Sequence, residues 1–241
     1  MASSSQSSLS IKRIVFGVRY QPQWRVADHL GEVVDRILRR SDEFFNAGAL
    51  PLSDSTNNQH RLWNAQTIQE VILNERDAVL NFRLASPDAT TVNSIAEAFD
   101  DEILGALRGT CKLTDIVRYG FLTEFQECGE LLGILPTQRY LNDDFPNARS
   151  LNMQLSQRLA TPEGHSKKGV DDFRNINYVI NQDDNGAVKI ALDYQRHFEP
   201  ALNAKQFGER AFSEFVSQGL AYQQKSFAEW IGKLLRESEA A

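Results

Sequence analysis

Apolar and polar positions change period several times along this chain, and the order of those changes predicts a fold. Ile14, Phe16 and Val18 alternate with Val15, Gly17 and Arg19, so Ile11–Tyr20 reads as a strand that Pro22 closes. Apolar residues stand on both phases, which suggests cover on both faces for part of its length. Val26, Leu30, Val33, Val34, Ile37, Leu38, Phe44 and Phe45 then recur at steps of three and four, with Gly48 where a C-terminal cap belongs. Asp28, Glu32, Arg36, Arg39 and Arg40 take the other side of this helix, the signature of an amphipathic rod lying on a sheet.

After a polar stretch, Ser53–Gln59, a second strand region runs over Leu62–Leu73, turns at Asn74–Asp77 and returns over Ala78–Leu84. Ser86-Pro87-Asp88 offers a helix start, and Val92, Ile95, Ala96, Phe99, Ile103, Leu104 and Leu107 carry the helix toward Gly109. Asp115–Gln126 supplies the next strand, with Val117, Tyr119, Phe121 and Phe125 in one phase. Glu127–Arg149 has no clean period and contains Gly129, Gly133, Pro136 and Pro146, so it reads as a connection, with room for one short helical turn near Arg139.

Strand signals resume with Leu151, Met153, Leu155 and Leu159 between polar residues, as in a half-exposed antiparallel strand. Thr161–Asp172 reads as a polar loop. A hairpin follows, in which Ile176, Tyr178 and Ile180 alternate, Asp183–Gly186 turns, and Val188, Ile190, Leu192 and Tyr194 return. Beyond Pro200 the expectation is helix to the end, on a stripe of Phe207, Phe212, Phe215, Val216, Phe227, Trp230, Ile231, Leu234 and Leu235, weakened near Gly219.

The predicted class is α+β: a ferredoxin-like β-α-β-β-α-β half, then an antiparallel β-meander with a long C-terminal helix. The organisation reads as a disordered serine-rich arm over 1–10, a first subdomain over 11–126, a connection over 127–149 and a second subdomain over 150–241. The apolar terminal stripe must bury against something. It covers the second sheet, or Phe227, Trp230, Ile231 and Leu234 meet a protein partner or a second copy.

Charge narrows the function classes. Across 241 residues the formal net charge is −6, so the chain lacks the global basic field behind most non-specific nucleic-acid affinity. An RNA-related module of this topology would use aromatic and basic residues on an uncovered sheet face, and Phe16, Arg19, Tyr20, Arg118 and Tyr119 are the candidates. Two cysteines, Cys111 and Cys128, do not make a disulfide framework. No leader and no bilayer-spanning apolar run is legible, so the expected setting is cytoplasmic and away from membranes.

Catalytic signals are weak. His29, His60, His165 and His197 share no metal-site spacing, and His197 is placed at a strand end by the pattern. The loop Thr161–Asp172 gathers His165, Ser166, Lys167 and Lys168 between two glycines, a composition suited to binding an anion or, less directly, to hydrolysis, but without phosphate-loop spacing. His165, Lys167 and Lys168, with Arg118 and Tyr119, are therefore the candidate binding residues. No catalytic residue, metal or cofactor is assigned.

Four segments carry a family resemblance: Arg13-Ile-Val-Phe-Gly-Val-Arg-Tyr20, the Val71–Leu84 hairpin, Asp115-Ile-Val-Arg-Tyr119, and Leu192-Asp-Tyr194 before a final helix. In order, they resemble a sporadically distributed bacterial protein family of unknown function. Membership would imply the fold described above and a patchy occurrence beside mobile or defence genes, with no established catalytic residues. The functional expectation is a non-catalytic accessory subunit that presents a sheet edge or the terminal helix to a protein partner. An RNA-related module and a hydrolase using the 161–172 loop are the alternatives.

Overall fold

The computed structural model describes residues 11–40, 50–54, 59–64, 69–83, 89–125, 150–161, 168–182, 188–203, 206–231 and 233. Nine strands and several helical segments follow in chain order: β1 (Ile11–Tyr20), α1 (Trp24–Arg40), β2 (Leu50–Asp54), β3 (Gln59–Asn64), β4 (Gln69–Leu73) and β5 (Asp77–Arg83). Next come α2 (Ala89–Ala98), a π-helical turn (Phe99–Leu104), α3 (Gly105–Cys111), β6 (Ile116–Phe125), β7 (Leu151–Ala160), β8 (Asp171–Gln182) and β9 (Val188–Leu202). The helix α4 (Ala211–Tyr222) continues through a second π turn, Gln223–Phe227. The protein is α+β, as the alternation of periods predicts.

The strands form one sheet in the order β2-β3-β4-β5-β1-β6-β9-β8-β7, with all eight neighbouring pairs antiparallel. The two halves of the chain join where β6 pairs with β9, from Ile116 opposite Leu202 to Phe125 opposite Ile190. One face of the sheet carries the core. Ile14, Phe16, Val18 and Tyr20 of β1, Tyr119, Phe121 and Phe125 of β6, and Ile190, Leu192, Tyr194 and Phe198 of β9 are all buried on it.

Aromatic rings set the seam beneath the central strands. Phe16 lies within ring-contact range of Phe99, Phe121 and Phe212, at centroid distances of 5.9, 5.5 and 5.5 Å. Tyr119 meets Phe198, Phe212 and Phe215 at 5.1, 5.5 and 5.5 Å. Full burial of each such ring stabilises the fold by roughly 1.5–3 kcal/mol, with edge-on ring contacts adding to that.

A buried carboxylate ties the first helical layer to the last helix. Arg210, before α4, has φ 59° and offers no side-chain cap to the helix. Asp100, in the first π turn, supplies that acceptor from far away in sequence: its Oδ2 takes the Phe212 N–H at 3.0 Å and the Ser213 N–H at 2.9 Å. Both are first-turn amides with no partner inside α4, so the fold satisfies them from a neighbouring element. Arg108 lies 3.7 Å from the other carboxylate oxygen, donates to the Asp100 carbonyl at 3.0 Å, and stacks over Phe207.

Several elements depart from the periodicity, each for a physical reason. The region Leu62–Leu73 is two strands, β3 and β4, paired as a hairpin from Asn64 opposite Gln69 to His60 opposite Leu73. The polar stretch Ser53–Gln59 overlaps β2 and the start of β3, because pairing with a neighbour can override weak strand propensity. The second helix passes Gly109 and ends at Lys112, in the left-handed region at φ 53° and ψ 49°, with its N–H bonded to the Arg108 carbonyl at 3.1 Å. β8 begins at Asp171, inside the expected loop, and β9 runs through Pro200 to Leu202, so helix does not start there.

Gly219 marks a close approach rather than a break in α4. A Cβ at this position would stand 2.7 Å from Phe121 Cδ1 and 3.1 Å from Tyr194 Cδ1. The bare backbone lets α4 sit on the aromatic floor of β6 and β9, and the irregular turn comes one turn later, at Gln223–Phe227. The cap at Gly48, the turn at Asp183–Gly186 and the connection over 127–149 lie outside the described residues.

Candidate functional site

Alternation along each strand leaves a second sheet face on which no described helix packs. Cross-strand register puts Arg19 opposite Asp77 and Arg118, Arg118 opposite His197, and His197 opposite Phe173. Arg158 extends the row from β7, its guanidinium 3.5 Å from the Phe173 ring centroid. Phe173 and His197 stack with rings 5.0 Å apart and 1° from parallel. One row thus reads Asp77, Arg19, Arg118, His197, Phe173, Arg158, across strands β5 to β7.

The electrostatics of this row are unbalanced at one position. Arg19 is satisfied by Asp77, Nε to Oδ1 at 2.7 Å. Arg118 stands directly opposite Arg19 and, among the described residues, its guanidinium has no ion pair or hydrogen bond. Like charges directly opposed on a sheet repel. Burial pushes the Arg118 pKa down and the charge of Arg19 adds to the effect, opposed by Asp193 and Asp77. The His197 imidazole is held below its ordinary range by burial first and by Arg118 next, so it is neutral at physiological pH.

Polar side chains on β9, β8 and β7 are knitted together beside that row. His197 Nε2 meets Gln195 Oε1 at 2.9 Å, Gln195 donates to Asp193, Asn177 Nδ2 donates to Asp193 at 3.1 Å, and Ser156 Oγ donates to Asn177 Oδ1 at 2.7 Å. On β1, Arg13 bridges Asn81 at 2.7 Å and Glu124 at 2.8 Å. These networks hold their members in fixed rotamers, so the face is pre-organised.

Relief comes from two glycines and one cavity. Gly17 and Gly120 stand opposite each other at the centre of the face, and a Cβ on Gly17 would meet nothing within 4 Å. Their bareness is not demanded by packing on this side, and it leaves a flat strip beside Arg118 and Gln195. At the far end of the strands a cavity of about 750 Å³ is lined by Lys12, Arg13, Arg83 and Lys189, with Glu124 as its carboxylate. The helix-free face carries Arg13, Arg19, Arg61, Arg83, Arg118, Arg158 and Lys189 together with Glu70, Asp77, Glu124, Asp171, Asp193 and Glu199, so cations and carboxylates are close to matched on a chain of net −6.

The structure divides the residues singled out from the sequence. Arg118 and Arg19 are on the helix-free face, whereas Phe16, Tyr20 and Tyr119 are buried on the other, so they do not form one aromatic-basic surface. The Tyr119 hydroxyl is enclosed, and burial pushes its pKa well up. Lys168 is exposed in the turn before β8, while His165 and Lys167 lie outside the described residues. Phe227 is fully buried and stacks on Phe125 at 5.2 Å and Tyr178 at 5.8 Å; Ile231 is buried, Trp230 packs on Tyr178 at 4.9 Å, and Leu234 lies outside the described residues. This part of the stripe covers the chain's own sheet.

His197 sits inside β9, not at its end, and it stands with Phe173 and Arg158 in a row that no local period along the chain brings together. The signal was present only as polar residues alternating with apolar ones along β8 and β9; their register was not. Chemically the row can bind but has no nucleophile beside its imidazole. Among the described residues no group of histidine, cysteine and carboxylate side chains is arranged to hold a metal ion. Cys111 is buried beneath α1, where burial pushes its thiol up to about 11, far from a reactive thiolate. Among the described residues no helix is long and apolar enough to cross a membrane.

No family model and no curated protein matches the sequence.

Proposed function

We propose that this protein is a non-catalytic accessory subunit that receives an acidic segment of a partner protein on the helix-free face of its sheet. The observation that carries this reading is Arg118: a partly buried guanidinium, opposed by a second arginine, that makes no ion pair or hydrogen bond among the described residues, Asp193 and Asp77 acting on it only from a distance. A carboxylate arriving between Arg118 and His197 would remove the repulsion and find Gln195 within the same network. The bare Gly17–Gly120 strip gives an extended backbone room to approach.

We further read β4, β5, β1 and β6, with α1 and α2–α3 on one side, as a ferredoxin-like half, since their order in the sheet follows that topology. The resemblance to a sporadically distributed bacterial family fits this reading and would place the subunit in a defence system. The ring pair Phe173–His197, set between Arg158 and Arg118, favours a second reading, an RNA-related module in which bases stack against planar groups.

Fluorescence anisotropy separates the two. With a labelled oligoglutamate peptide and a labelled single-stranded RNA as probes, the first reading expects salt-sensitive binding of the peptide, weakened at least tenfold by Arg118→Glu. Binding of the RNA alone, lost in the same variant, would replace the first reading by the second. Indifference of both probes to Arg118→Glu would remove the face from consideration.

A further inference from the structure

The two edges of the sheet are built differently. At one end β2 spans only Leu50–Asp54 and contains Pro51, which has no N–H to offer a neighbour. At the other end β7 runs ten residues, Leu151–Ala160, and pairs with β8 in unbroken register from Leu151 opposite Gln182 to Ala160 opposite Phe173. Among the described residues nothing pairs with its outer side. It has no proline, no bulge and a single charge, Arg158, which is drawn inward over Phe173. Leu155, at the middle of the strand, is 45% exposed, while Met153 and Leu159 on the same side pack against the core. An edge left this long, regular and apolar is a template for another strand.

The geometry points to a second copy of this chain as the occupant: β7 pairs antiparallel with β7 across a two-fold axis at Leu155. A two-fold axis normal to the sheet keeps the helix-bearing faces together, so opposed residues must share a phase. Centred on Leu155, the register sets Leu155 against Leu155 and Met153 against Gln157 on the helix side. On the other side it sets Asn152 against Arg158 and Gln154 against Ser156. Apolar meets apolar at the axis, polar meets polar on the helix-free face, and no like charges are opposed. The same operation joins the two sheets and brings two helix-free faces side by side. One strand pair buries less than the roughly 1,600 Å² of a standard interface, so association is expected to be weak and concentration-dependent.

Sedimentation equilibrium on the full chain tests this. The expected result is a mass that rises with concentration from 27.2 kDa toward twice that value. Leu155→Lys and Leu155→Glu each keep the fold, read by circular dichroism, because the side chain is already half exposed, and each holds the chain at the monomer mass by opposing like charges at the axis. Mixing the two variants restores the dimer. A monomer at every concentration overturns the inference, as does a dimer that Leu155→Lys leaves intact. A dimer that either variant abolishes and the mixture does not restore overturns the register. Arg118→Glu leaves the association unchanged, so failure here and failure of the proposed binding face are told apart.

Discussion

Replacing Asp100 probes the joint between the two halves of the chain. Its side chain is wholly buried, and one oxygen accepts both first-turn amides of α4, at 3.0 and 2.9 Å. Asp100→Ala leaves two buried N–H groups without an acceptor, at about 1–3 kcal/mol each, so a loss of about 2–5 kcal/mol is expected. Asp100→Asn keeps one carbonyl oxygen for the two amides and gives up the attraction to Arg108, at 3.7 Å, together with the burial cost of the charge, so it retains most of the stability that Asp100→Ala loses. The two variants also differ in pH dependence. Burial pushes the folded-state carboxyl above the 3.8 of an unperturbed aspartate, against the Ser213 N–H, Arg108 and the Phe212 N–H, which pull it down. A raised folded pKa stabilises the fold fully below 3.8, and that contribution is lost as pH rises through the folded value. Urea unfolding followed by tryptophan fluorescence should therefore show the wild type losing stability relative to Asp100→Asn as pH rises from the acid side. The reasoning fails if Asp100→Ala is as stable as Asp100→Asn, or if the difference between wild type and Asp100→Asn does not change with pH.

Gly219→Ala should destabilise even though alanine is the better helix former: the overpacking against Phe121 and Tyr194 costs about 1–3 kcal/mol, more than the ~1 kcal/mol of helix propensity gained. A Tm at or above that of wild type in differential scanning calorimetry would contradict it. Asp172→Ala should cost about 3–5 kcal/mol, since it strips a carboxylate from the Arg196 guanidinium, whose side chain is 7% exposed; chemical denaturation gives the value. Phe227→Ala should lose about 3–5 kcal/mol by opening a cavity between Phe125 and Tyr178, without changing any binding by the helix-free face, and a peptide-binding loss in a variant that remains folded would refute that separation.

Which parts of this molecule a reader of the sequence can find depends on whether the deciding interaction is local. The strand Ile11–Tyr20, the helix through Val26 and Ile37, and the strands through Phe121 and Leu192 announce themselves because one period repeats over several residues. β2 does not, since Leu50–Asp54 is extended mainly by pairing with β3, across the chain from any local signal. Gly219 reads as a weak point in a helix until Phe121 and Tyr194 are seen beneath it. Its meaning belongs to a contact some hundred residues away, and no window along the sequence contains both partners.

The site follows the same rule more strictly. Arg118 and Tyr119 are neighbours in sequence, and strand geometry sends them to opposite faces of the sheet. Apolar residues occupy both phases around β1, where Val15 and Phe16 are equally plausible core, so alternation alone does not say which phase the helices cover. That decision is made by Asp100 and the rings of Phe99 and Phe212, which fix α4 on the side of Phe16 and Tyr119 and leave Arg118 on the other. The apolar terminal stripe and the basic row are therefore coupled: by burying Phe227 and its neighbours against one face, the chain leaves the other face, with the unpaired Arg118, free of helices among the described residues.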